Sequence, residues 1–103
     1  MINFEGYQFD GPYTQTDSFK DSAGIYAILT RGQATAQWTV LDIGESSQVK
    51  SRLTNHDRKD CWNRNNQGTL AGAVLYTPGW TDKQRCNLES SLRAKYTPTC
   101  GVI

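Results

Sequence analysis

Residues 24–44 read GIYAILTRGQATAQWTVLDIG. In the first seven, Ile25, Ala27 and Leu29 face one side and Tyr26 and Ile28 the other, the period-two pattern of a strand. RGQATAQ is turn-like. WTVLDIG, from Trp38, resumes the alternation and predicts Leu41 and Ile43 on one face, with Trp38, Val40 and Asp42 on the other. The two runs predict an antiparallel hairpin. Asp42 stands out, because a carboxylate among apolar strand neighbours needs a partner or a metal.

Working outward, ESSQVKSRLTNH (45–56) reads as a helix capped by Ser46 or Ser47 and anchored by Val49 and Leu53 one turn apart. Arg52 and His56, the only histidine, lie four residues apart and so share a helix face, as expected if both address one anion. HDRKDCWNRNNQG is polar and Asn-rich and reads as a surface loop with Trp62 tucked inward. TLAGAVLYT (69–77) is a third, well-buried strand. Thr81 and Gln84 form a capping box that opens a helix over 82–95, with Leu88, Leu92 and Tyr96 facing inward. Arg85 and Glu89 lie at this stripe one turn apart, which allows a structural ion pair or a metal ligand at a pocket rim. In INFEGYQFDGPY the turn signal Asp10-Gly11-Pro12 leaves room for a short edge strand only, and 14–22 reads as loop. The expected fold is α+β: a small three-stranded antiparallel sheet flanked by helices, in a single domain with its core at 24–101 and an N-terminal extension at 1–23.

The totals narrow the function classes. The 103 residues, 37% hydrophobic with three Trp and five Tyr, suit one folded domain and exclude disorder. No run approaches the roughly 20 apolar residues of a membrane span, and the N-terminus lacks the basic-then-apolar order of a secretory signal, so a cytoplasmic protein without membrane contact is expected. Cys61, Cys86 and Cys100 are odd in number and widely spaced, which favours reduced, buried thiols over a disulfide framework. With His56 they would complete a zinc set, but no C-x2-4-C pair supports one. Net charge is +1, yet residues 1–49 carry two basic and six acidic side chains while 50–103 carry nine and four. That asymmetry is compatible with nucleic acid touching the second half. Lys50, Arg58, Lys59 and Arg64 are the candidate phosphate contacts.

Taken in order, Gly24-Ile25-Tyr26, Asp42-Ile43-Gly44 with Glu45 and Ser46, then Arg52, His56, Glu89 within RCNLESSL, and the segment 98–101 resemble the GIY-YIG nuclease superfamily. The resemblance implies an endonuclease that hydrolyses DNA phosphodiesters with one divalent ion, Mg²⁺ or Mn²⁺. By position Tyr26 would help activate water, Arg52 would hold the scissile phosphate, His56 would assist proton transfer, and Glu89 would bind the metal. The chemistry is sound on general grounds: Arg is a planar, permanently charged fork for phosphate, and a free imidazole titrates near pH 6.5. A free phenol, with a pKa near 10, is a poor base unless cations such as Arg52 lower it; otherwise Tyr26 only orients the water.

Two positions depart from the pattern. Asp42 stands where the second tripeptide has tyrosine, and Gly101 stands where many members have asparagine. Asp42 is then a second metal ligand, an ion-pair partner of Arg52 or Lys50, or the mark of a catalytically silent domain that binds nucleic acid or a protein partner.

Overall fold

The computed structural model describes residues 1–101. Five strands form one antiparallel sheet: β1 (Ile2–Phe4), β2 (Tyr7–Tyr13), β3 (Gly24–Arg31), β4 (Thr39–Ser46) and β5 (Thr69–Tyr76), in the order β1-β2-β5-β3-β4. Helices α1 (Val49–Thr54) and α2 (Lys59–Arg64) and a 3-10 turn (Thr16–Ser18) precede the fifth strand or link its neighbours, and α3 (Asp82–Tyr96) follows it. No helix is long and apolar enough to cross a membrane among the described residues.

The alternation read in β3 divides the core as expected. Tyr26 and Ile28 pack with Val49 and Leu53 of α1, Trp62 of α2 and Phe19 on one face. Ile25, Ala27 and Leu29 pack with Leu92 of α3 and with Phe4 and Phe9 on the other. The α3 capping box forms as predicted, Gln84 N–H donating to Thr81 Oγ1 and Thr81 N–H to Gln84 Oε1.

Several expectations are corrected. The sheet has five strands, not three, because residues 1–23 are not an extension. β2 pairs with β5, and Phe4 and Phe9 fill the second core. The Gly11-Pro12 signal lies inside β2, where the register with β5 shifts between Asp10 and Tyr13, a place where a sheet tolerates proline. Leu41 and Ile43 do not share a face. Between Ile28 and Leu29 the register of β3 against β4 slips by one residue, so Leu41 joins the Tyr26 core and Ile43 the other. Residues 59–64, read as loop, form α2, a helix too short to show periodicity around its one buried residue, Trp62.

Helix α1 also differs. It begins at Val49 after Gln48, which makes no side-chain cap, and Ser46 Oγ instead accepts from Gln48 N–H. The cap comes from a distant residue: Asp21 accepts from Ser51 N–H at 2.8 Å and from Ser51 Oγ–H at 2.7 Å. These bonds hold the Asp21 carboxyl below its usual range. The helix ends at Thr54, so His56 lies beyond it in the following turn.

The cysteine expectation is overturned as well. Cys61 on α2 and Cys100 beyond α3 are joined by a disulfide, and Cys86 is free and exposed. Its partners are 39 residues apart, a separation that leaves no local spacing signal. The bond also removes the zinc set, and among the described residues no group of three or more His, Cys, Asp or Glu is placed to hold a metal. Cys100 N–H donates to Leu41 O at 2.7 Å, so the chain after α3 covers part of edge strand β4.

Candidate active site

Tyr26 lies opposite Gly44 in the β3–β4 register and is 1% exposed. With no side chain at 44, the phenol lies directly across β4, and a Cβ there would collide with Oη, Cζ and Cε1 of the ring. The hydroxyl ends 2.6 Å from His56 Nε2. His56 is 5% exposed, and its Nδ1 accepts the backbone N–H of Arg58 at 3.0 Å. A nitrogen that accepts carries no proton, so the neutral ring bears its hydrogen on Nε2 and donates it to Tyr26 Oη. The phenol keeps its own hydrogen to donate elsewhere.

Electrostatics fix this protonation pattern. Burial, reinforced by the Arg52 and Arg58 charges, lowers the His56 pKa to about 4. Burial and the Asp42 charge push Tyr26 up to about 12, against the smaller pull of Arg52 and Arg58. Both results correct the sequence expectation: His56 does not exchange protons near neutrality, and cations do not turn Tyr26 into a base. Stability should register the His56 shift. Between about pH 4 and 6.5 the unfolded chain protonates His56 and the native state does not, so this contribution is complete above about 6.5 and is lost as pH falls through about 4. Denaturant unfolding across that window should lose about 3 kcal/mol, and His56→Gln should flatten the slope. An unchanged slope in the variant would assign the loss to other groups.

Arg52 does hold an anion, but a protein one, and His56 does not share it. Asp57 Oδ1 accepts from Arg52 Nη2 at 3.0 Å and lies 3.3 Å from His56 Nδ1. With His56 neutral, only the Arg52 contact is an ion pair. Backbone and Arg52 hydrogen bonds hold the Asp57 carboxyl below its usual range. The Asp57 side chain is 72% exposed, so a stronger anion can displace it at little cost. The sequence places Asp57 directly after His56, but only the early end of α1 gives it this position.

No family model, no curated protein and no solved structure matches this chain.

Asp42 is fully buried and its carboxylate is saturated with donors. Arg58 Nε at 2.7 Å and Trp62 Nε1 at 2.8 Å reach Oδ2, while Arg93 Nη1 at 2.9 Å and Arg58 Nη2 at 3.2 Å reach Oδ1. Arg93 also donates to Ile43 O and Cys100 O. Asp42 is therefore neither a free catalytic carboxylate nor the partner of Arg52 or Lys50; it is the hub that fixes α2 and α3 to β4. Gly101, at φ +79°, closes over the same cluster, and a Cβ there would stand 2.7 Å from Arg93 Nη2 and 3.0 Å from Arg58 Nε. The two departures at Asp42 and Gly101 belong to one arginine-lined contact.

Glu89, on α3, is half-buried. Burial and then the neighbouring Glu45 carboxylate raise its pKa, which Arg93 partly opposes. The Arg85 pair considered from helical spacing does not form, since buried Arg85 turns to Glu45 Oε2 at 3.0 Å and to Asp82. The Glu89 charge is the smallest of the contributions that raise the Tyr26 pKa. Of the expected phosphate contacts, Arg58 is committed to Asp42, Lys50 lies 3.8 Å from Asp17, Lys59 Nζ donates to Thr54 O, and Arg64 is exposed. Arg58 is thus corrected from a DNA contact to a structural arginine. Arg93 and Trp62 are the participants that sequence reasoning did not assign to the site.

Proposed function

We propose that this chain is a metal-dependent endonuclease of GIY-YIG type, hydrolysing DNA phosphodiester bonds at a site built on buried Tyr26 and His56 together with Arg52 and Glu89. The observation that carries this reading is the Tyr26–His56 hydrogen bond, 2.6 Å across the side-chain-free Gly44. Arg52 exchanges the exposed Asp57 for a phosphate and grips its non-bridging oxygens. His56 positions the phenol, and Tyr26, protonated at neutral pH, donates a hydrogen bond to a non-bridging oxygen of the phosphate, while the attacking water gives up its proton to solvent. Glu89 fits a divalent ion with one protein ligand, since its repulsion with Glu45 is relieved by a cation and Mg²⁺ commonly takes its remaining ligands from water and phosphate. When bound, Mg²⁺ or Mn²⁺ supplies Lewis acidity to the phosphate and stabilises the leaving oxygen.

The test is nicking of supercoiled plasmid with Mg²⁺ or Mn²⁺. Glu89→Gln and Arg52→Ala should each lower the rate by about 10²-fold or more with unchanged circular dichroism. Wild-type rates in either variant would end the assignment. A second reading, a silent domain that binds DNA or a protein partner, is favoured by the Asp57 carboxylate already seated against Arg52. It predicts salt-sensitive binding without nicking. The cytoplasmic setting read from the sequence fits poorly with the Cys61–Cys100 disulfide, which persists best in oxidising compartments.

A further inference from the structure

Beside the candidate site, on the far side of Trp62, a cleft of about 270 Å³ opens between β2, the 3-10 turn and α2. Its floor is apolar, built from Phe19, Leu53 and Trp62, with Tyr13 at one wall and Lys59 and Asn63 among its lining. The mechanism above uses none of this space. Two connections tie the cleft to the site. Trp62 packs on the His56 ring with centroids 4.5 Å apart and is anchored through its indole N–H to Asp42, and Leu53 is the neighbour of Arg52 on α1.

We propose that this cleft seats one unstacked nucleobase of single-stranded DNA next to the bond held by Arg52; the inference rests on the phosphodiester reading above. An apolar, partly aromatic floor with amide and ammonium groups around it suits a flat heterocycle with polar edges and an attached phosphate. The volume lies just below the roughly 300–1,000 Å³ of pockets for drug-sized ligands, so it takes one base and excludes a base pair. Lys59 is the one charged residue among the cleft's lining, with no carboxylate beside it there, which favours a ligand that carries a phosphate over an apolar peptide. A base stacked within duplex cannot enter, so single strands, frayed ends and flaps are the preferred substrates.

The experiment uses a short single strand carrying a central fluorescent purine analogue, titrated in EDTA, against the same strand in blunt duplex and a strand with an abasic site at that position. The single strand should bind about tenfold more tightly than either control and its fluorescence should be quenched, in line with about 1–3 kcal/mol per seated base. Asn63→Trp, which fills the cleft from the exposed face of α2, should abolish both the quenching and the abasic difference while circular dichroism is unchanged. Equal affinity for the abasic strand, or quenching that survives Asn63→Trp, would overturn the proposal, and the latter would place the base elsewhere. Binding of an apolar peptide in preference to DNA would overturn it too. Cleavage of the same single strand and of plasmid with Mg²⁺, measured in parallel, separates the two readings: base-dependent quenching without cleavage of either supports the cleft and sinks hydrolysis, cleavage without base dependence sinks the cleft alone, and neither sinks both.

Discussion

Gly44→Ala is expected to sever Tyr26 from His56 and to destabilise the protein by about 1–3 kcal/mol, although it adds a single methyl group. The added carbon would fall on the phenol oxygen and the ring edge. Tyr26 has nowhere to move, because it is packed among Val49, Leu53 and Val74 in the first core. The cost should vanish once the ring is removed. In a Tyr26→Ala background, Gly44→Ala should change stability by only a few tenths of a kcal/mol, so the double-mutant cycle isolates the crossing of ring over strand. The same cost in both backgrounds would mean that the glycine serves the backbone of β4 instead. Activity should follow the ring, since a displaced phenol faces neither His56 nor the phosphate on Arg52.

The second large effect concerns Asp42. Asp42→Ala removes the acceptor of four donor contacts and strands two guanidinium groups in a half-buried pocket, at an expected cost of about 3–5 kcal/mol. That approaches the whole stability of a domain this size, so a melting temperature lower by more than about 10 °C, or failure to fold, is expected. Asp42→Tyr, which would bring the tripeptide closer to the pattern it resembles, should be equally damaging, because Asp42 is fully buried and its arginines would lose their counter-charge. A loss below about 1 kcal/mol for Asp42→Ala would show that the cluster rearranges around water.

Much of the frame was legible in the sequence. β3 and β4 declare themselves through period-two alternation, β5 through a short apolar run and α3 through the Thr81–Gln84 box, signals confined to a few adjacent residues. The elements that were missed lack such signals. β2 is interrupted by Gly11-Pro12, which marks a turn in most contexts but here coincides with a register shift. Helix α2 has six residues and one buried side chain. Within the proposed site, Tyr26, Arg52 and Glu89 rest on local pattern and resemblance. The role of Asp42 could not be, because its arginine partners lie 16 and 51 residues away and are brought to it only by the fold. Protonation was least legible: nothing local reveals that His56 and Tyr26 are buried deeply enough to shift to about 4 and about 12.

The most direct test is a crystal structure of Glu89-intact protein with Mn²⁺ and a short DNA strand, read by anomalous scattering. The expected result is one manganese peak at coordination distance from a Glu89 carboxylate oxygen, with a DNA phosphate replacing Asp57 on Arg52 and within hydrogen-bond reach of Tyr26 Oη. Manganese bound away from Glu89, or DNA phosphates that leave the Arg52–Asp57 pair intact, would contradict a hydrolytic site at this surface.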